Sequence, residues 1–181
     1  MRNWLGGSCF LKDTAVLTAI EQCHGAPIRI VETVIEVNEA RKRAMVAKVV
    51  TACGGSLAGK TIAGLGLTFK PNTDDMREAP SLVIVPALAA QGARVRAYDP
   101  HGMEEAGKLM PGLEIAADPY ACIEGADAMV ILTEWDQFRA LDLNRVKAAL
   151  KSPVVVDLRN IYKPADMTGK GFIYVSVGRP R

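Results

Sequence analysis

Little in this sequence suggests a stapled, membrane-bound or polyanion-binding protein. The four cysteines, Cys9, Cys23, Cys53 and Cys122, are widely spaced and form no CxxC pair, which argues against a disulfide framework or a zinc site. No signal-peptide pattern stands at the start, so a reducing cytoplasm is the expected setting. No apolar run approaches the ~20 residues needed to cross a bilayer, so no membrane anchor is expected. A formal net charge of +2 over 181 residues gives no field of the kind nucleic acid selects. Binding an anionic small molecule would need only local lysines and arginines. His24 and His101 stand alone without metal-ligand spacing and read as surface or cap residues.

What is present is ordinary globular material, 49% hydrophobic and 23% charged, of a length that suits one domain with an appendage. The most informative stretch is Gly6-Gly7-Ser8-Cys9-Phe10-Leu11-Lys12-Asp13. Here a thiol sits on a glycine turn directly before a cation, a carboxylate and a helical pattern. A free thiol has a pKa near ~8.5, and a nearby lysine or a helix N-terminus favours the thiolate. Local pattern leaves two readings of Cys9 open, a nucleophile and an inert small hydrophobe.

Beyond Asp13, the expected N-cap, Val16, Leu17, Ile20 and Cys23 follow helical spacing and Gly25 closes the pattern. Pro27 then opens an unusually long helix. Its stripe runs through Ile30, Val31, Val34, Ile35, Asn38, Met45, Val46 and Val49 towards Cys53. Glu39, Arg41, Lys42, Arg43 and Lys48 read as its solvated face. One apolar stripe on so long a helix suits packing against a second copy, so a homodimer is expected.

Gly54-Gly55-Ser56 breaks the chain, and strands then alternate with helices. Strands are expected over 61–66, 94–98, 128–132, 153–157 and 172–175, with helices over 81–91 and 143–150. This alternation specifies an α/β fold, a Rossmann-like parallel sheet with helices on both faces. Ligands of such sheets gather at the carboxyl ends of the strands, which marks the loops after Gly66, Tyr98, Leu132 and Asp157.

The first of these loops begins like a dinucleotide site, with Gly64-Leu65-Gly66, yet the third glycine and the immediate helix are missing. A long polar loop through Lys70 and Arg77 takes their place. Both cations suit phosphate oxygens; the alternative is ion pairing with Asp74, Asp75 or Glu78. Arg159, in Asp157-Leu158-Arg159-Asn160, brings another guanidinium to the same edge. Thr133-Glu134-Trp135-Asp136 reads as a polar turn in which Trp135 is structural.

With the cysteine loop, the long helix and the Lys70 to Arg77 loop in that order, the chain resembles the UDP-glucose 6-dehydrogenase family of nucleotide-sugar dehydrogenases. The resemblance rests on GGSCFLKD at 6–13, GLGLTFKPNTDDMREAPS at 64–81, AYDP at 97–100, TEWDQF at 133–138 and DLRN at 157–160. Trp4 and Leu5 stand where most members carry glycine and an aromatic, and Leu11 where proline is common.

The resemblance implies a cysteine loop and central helical dimerisation segment over 1–56, then a Rossmann-like UDP-sugar-binding domain over 57–181. It implies that Cys9 is the nucleophile and that Asp13 positions or activates water. Lys12 and Arg77 would contact NAD, and Gly6, Lys70 and Arg159 would hold the UDP-sugar; no metal is implied. The reaction implied takes UDP-glucose to UDP-glucuronate by two hydride transfers to two NAD molecules. A thiolate adds to the aldehyde, the thiohemiacetal gives up the second hydride, and the thioester is hydrolysed.

The family's N-terminal NAD-binding domain has no counterpart in these residues. The chain alone is therefore expected not to turn over UDP-glucose, and a separate NAD-binding chain is one partner that would complete it. Two alternatives remain open. One is a non-catalytic nucleotide-sugar binding or dimerisation module, the other the same portion of a GDP-mannose or UDP-N-acetylmannosamine dehydrogenase.

Overall fold

A computed structural model describes Asp13, Thr14, Val16, Leu17 and residues 28–179. Those first four residues are helical. Ile20, Cys23 and Gly25, on which the rest of the expected first helix depends, lie outside the described residues.

The expected long helix is α1, Arg29–Ala52. It stops in a Schellman motif: Gly55 N–H donates to Val50 O at 2.9 Å and Gly54 N–H to Thr51 O at 3.1 Å. Both glycines have positive φ, 85° and 94°, which is why the Gly54-Gly55 break works as a stop. The two halves of α1 differ. Met45, Val46 and Val49 are buried in the core, whereas Ile30 is 78% exposed and Val34 and Val37 are exposed as well.

Lys42 corrects the expected solvated face, because it is only 1% exposed. Its ammonium meets Glu39 at 2.7 Å and Glu78 at 3.9 Å, partners that offset the loss of water. Glu39 is a helical neighbour, but Glu78 arrives from a distant loop that helix periodicity does not register.

Six parallel strands follow: β1 Thr61–Leu65, β2 Arg94–Tyr98, β3 Glu114–Ile115, β4 Ala128–Ile131, β5 Val154–Asp157 and β6 Ile173–Ser176. Their order is β3-β2-β1-β4-β5-β6, the Rossmann order, so sequence direction reverses between β1 and β4. Five strands match the expected ones to within two residues at each end. The sixth, β3, is a two-residue edge strand, too short for an alternating pattern to show.

The helices between them are α2 Ser81–Ala90, α3 Met103–Leu109, α4 Pro119–Ile123, α5 Asp136–Arg139, α6 Leu143–Ala149 and α7 Pro164–Gly169. Short α4 and α6 are set by local chemistry. Asp118 accepts from Tyr120 N and Ala121 N with Pro119 in the first turn, and Asp142 accepts from Asn144 N and Arg145 N.

Both β4 and β5 are buried along their whole length, as central parallel strands covered on two faces must be. Successive residues feed opposite layers. Ile62, Val130 and Val156 pack with Met45 and Val49 of α1 and Ile84 and Leu88 of α2. Ala63, Leu65, Ile131 and Val155 pack with Phe138, Val146 and Met167 on the other side. At about 1.5–3 kcal/mol per fully buried large apolar side chain, these layers dominate the favourable side of folding.

Candidate functional site

The carboxyl edge of the sheet is organised around Asp99, which directly follows β2 and is completely buried. Oδ2 accepts from Leu67 N at 2.6 Å, Thr68 N at 3.1 Å and the Trp135 indole N–H at 3.2 Å; the Thr68 hydroxyl lies 3.1 Å away. Oδ1 accepts from His101 N at 2.9 Å and Gly102 N at 2.8 Å. These hydrogen bonds offset the cost of taking the carboxylate out of water. In a dinucleotide-binding sheet the acidic residue after β2 takes ribose hydroxyls. Here it is consumed in tying the β1, β2 and β4 loops together.

Three consecutive residues after β4 make the lateral ties. The Thr133 hydroxyl donates to Thr68 O in the β1 loop. The Glu134 carboxylate pairs with Arg159 after β5, its Oε2 facing both Nε and Nη2. Trp135 donates to Asp99 and stacks on His101, ring centroids 5.1 Å apart. The structural role expected for Trp135 is observed, and the turn joins the loops after β1, β2 and β5. Gly66 is required at this crossing, since its φ is 90° and a Cβ would stand 2.5 Å from that of Thr133.

Arg159 is almost fully enclosed, its side chain 2% exposed against 20% for Glu134. Its backbone is set by Asp157, whose Oδ1 accepts from Arg159 N at 3.0 Å while Oδ2 accepts from Tyr162 N and the Tyr174 hydroxyl. Burial, reinforced by that carboxylate, pushes the Tyr174 hydroxyl up, so it stays a protonated donor.

The long loop over 67–80 is closed by Ser81, whose hydroxyl donates to Leu67 O, and anchored by buried Met76 and Ala79. Asn72 and Glu78 take left-handed backbone, φ 61° and 57°. Lys70, half-buried, rests with its ammonium 5.0 Å from the Phe69 ring centroid. Arg77 forks onto Asp75, Nε to Oδ1 at 2.9 Å and Nη2 to Oδ2 at 2.8 Å, while remaining 71% exposed. That hydrogen-bonded guanidinium holds the Asp75 carboxyl below its usual range.

The expected site residues therefore fall into groups. Lys70 and Arg159 lie on loops joined through Thr68, Thr133 and Glu134. Arg77 lines a separate cleft of about 330 Å³ with Asp74, Asp75, Met76, Glu105 and Leu109. Asp13 is helical and exposed. Gly6, Cys9 and Lys12 lie outside the described residues. The described cysteines are poor nucleophiles: burial raises the Cys53 thiol and pushes Cys122 up to about 12. Among the described residues no acidic, histidine or cysteine cluster could hold a metal, and no helix is long and apolar enough to cross a membrane.

Sequence reasoning missed Asp99 and Glu134 as organising residues. The available signal was their place, Asp99 directly after β2 and Glu134 three residues after β4, at the edge where ligands gather.

Comparison with known proteins gives a consistent result. Residues 63–164 match the family model described as "UDP-glucose/GDP-mannose dehydrogenase family, UDP binding domain". The chain is 56% identical over 175 residues to a UDP-glucose 6-dehydrogenase of Rhizobium meliloti, covering 97% of this chain and 40% of that protein. It is 46% identical over 176 residues to the UDP-glucose 6-dehydrogenase TuaD of Bacillus subtilis, covering 97% and 38%. Among solved structures, a UDP-glucose dehydrogenase from Pyrobaculum islandicum is similar with a TM-score of 0.75 and 36% identity, over 84% of this chain and 34% of that one. An NDP-N-acetyl-D-galactosaminuronic acid dehydrogenase from Methanosarcina mazei aligns with a TM-score of 0.85 and 29% identity, over 97% and 38%. The chain thus spans about 40% of the length of the curated relatives it matches.

Proposed function

The chain belongs to the UDP-glucose/GDP-mannose dehydrogenase family, and from that premise we propose that it is the UDP-holding portion of an NAD-dependent UDP-glucose 6-dehydrogenase. One observation carries this reading. The strands matched as a UDP binding domain are those whose carboxyl edge brings the Lys70 and Arg159 loops together. A lysine point charge and an arginine fork on one edge suit a diphosphate, and Gly6 would bring backbone against the same substrate.

Residues 57–181 would then fix the UDP end, and residues 1–56 would present Cys9. Its thiolate adds to the sugar aldehyde, and the later thioester is hydrolysed by a water that Asp13 positions. What this chain supplies is alignment of sugar carbon with sulfur. NAD, when bound, supplies the hydride acceptor. Its usual contacts do not fit the described sheet edge, where Asp99 is fully engaged. The cofactor would be held mainly outside the described residues, with Lys12 and Arg77 reaching it from this chain.

A homodimer through α1 completes the reading, supported by the exposed Ile30, Val34 and Val37 of its N-terminal half. Light scattering during size exclusion should give twice the chain mass; monomer alone would count against it.

The decisive experiment is calorimetric titration of the chain with UDP and UDP-glucose. Binding that is lost in Lys70→Ala and in Arg159→Ala is the expected outcome, with no NADH formed from UDP-glucose by the chain alone. Absence of binding at millimolar ligand would remove the nucleotide-sugar reading.

A further inference from the structure

The buried arginine cannot orient itself. A guanidinium on a flexible stem, taken out of water, needs a countercharge and a fixed edge before its planar fork can be presented in one direction. Glu134 supplies both, since its Oε2 faces Nε and Nη2 of Arg159 together.

Glu134 is itself held on either side. Its predecessor Thr133 is tied to Thr68 O in the β1 loop, and its successor Trp135 is tied to Asp99 Oδ2 at 3.2 Å. The carboxylate therefore starts from a backbone that neighbouring loops have already fixed. At the far end, Arg159 N is bound to Asp157 Oδ1 at 3.0 Å, so backbone on both sides of the pair is set and only the side chains remain to be aligned.

We propose that Glu134 is the positioning residue for Arg159, setting the plane and reach of the guanidinium that meets the nucleotide diphosphate. The inference rests on the nucleotide-sugar reading above and deepens it. Glu134 acts through Arg159 and need not touch the ligand. Neutralising it lets the guanidinium turn towards solvent, so diphosphate affinity falls although one negative charge near the site has been removed. Simple competition between carboxylate and phosphate for Arg159 predicts the reverse sign.

The test is a double-mutant cycle read by calorimetric titration of UDP into the full chain, using wild type, Glu134→Gln, Arg159→Lys and the double variant. Thermal unfolding of each checks that the fold survives. Glu134→Gln should weaken UDP binding by about tenfold or more, and it should add little further loss in the Arg159→Lys background. Glu134→Asp, which keeps the charge on a shorter arm, should fall between wild type and Glu134→Gln, and it carries the test if Glu134→Gln does not fold. Unchanged or tighter binding by Glu134→Gln overturns the inference, as does an equal loss in both backgrounds, which would mark a general effect on the fold. Wild-type chain that takes up no UDP overturns the nucleotide-sugar reading itself, and this inference with it.

Discussion

Two arginine–carboxylate pairs stand at the same end of the sheet, and their surroundings make them different devices. Arg77 and Asp75 are two residues apart, forked together at the tip of a long loop with the guanidinium largely in water. Arg159 and Glu134 are twenty-five residues apart in sequence, on adjacent strand ends, with the guanidinium nearly sealed from solvent. Water screens the first pair, so it shapes a loop and contributes little to stability. Enclosure makes the second costly to break, most of all at Glu134, whose loss leaves the enclosed guanidinium without its counterion. Chemistry alone would rank them equal; burial separates them.

The largest effect is expected at the buried end. Asp99→Ala removes the shared acceptor of the β1, β2 and β4 loops. Each buried donor left unsatisfied costs about 1–3 kcal/mol, so the unfolding free energy should drop by more than about 3 kcal/mol. Urea denaturation measures it, and a loss below about 1 kcal/mol would show that this edge is not the rigid region.

Arg159→Met should come next, at about 3 kcal/mol. That is the low end for breaking a buried pair, since the orphaned Glu134 is 20% exposed and can turn towards water. The same denaturation series reads it out.

Arg77→Ala should shift stability by less than about 1 kcal/mol, and salt should shrink even that. A pH series sharpens the contrast. The folded Asp75 carboxyl lies below its ordinary value of 3.8, so the pair's contribution is complete above that value and is lost as pH falls through the folded one. Arg77→Ala and wild type should therefore converge in stability only below about pH 4. A difference that persists under strong acid would mean Arg77 does something besides pairing with Asp75.

Much of the architecture was legible because its causes are local. The run Val154-Val155-Val156 declares a strand buried on both faces, and Gly54-Gly55 declares a helix stop. Strand β3 and the helices α4, α5 and α7, of six residues or fewer, escaped because they are too short for a period to emerge; α3 escaped as well, although it is as long as α6. Asp118 and Asp142 nevertheless carried legible caps for α4 and α6. Lys70, Arg77 and Arg159 stood out as candidates by residue type and by their place in the loops after β1 and β5. The same reasoning passed over Glu134, whose value lies in a partner it cannot announce, and misjudged Lys42, whose second acid is on another element.

By itself, the sequence determined the alternation of strands and helices, the long helix before them, the absence of a third glycine after β1 and the presence of cations at strand ends. Each depends on neighbours a few residues away, where periodicity, caps and turns act. Tertiary structure alone decided that Asp99 would be spent on binding three loops, that Arg159 and Arg77 would have opposite exposure, and that Glu134 would face one of them. Those outcomes depend on which strands lie side by side and on how much water remains between them, and both are properties of the folded sheet.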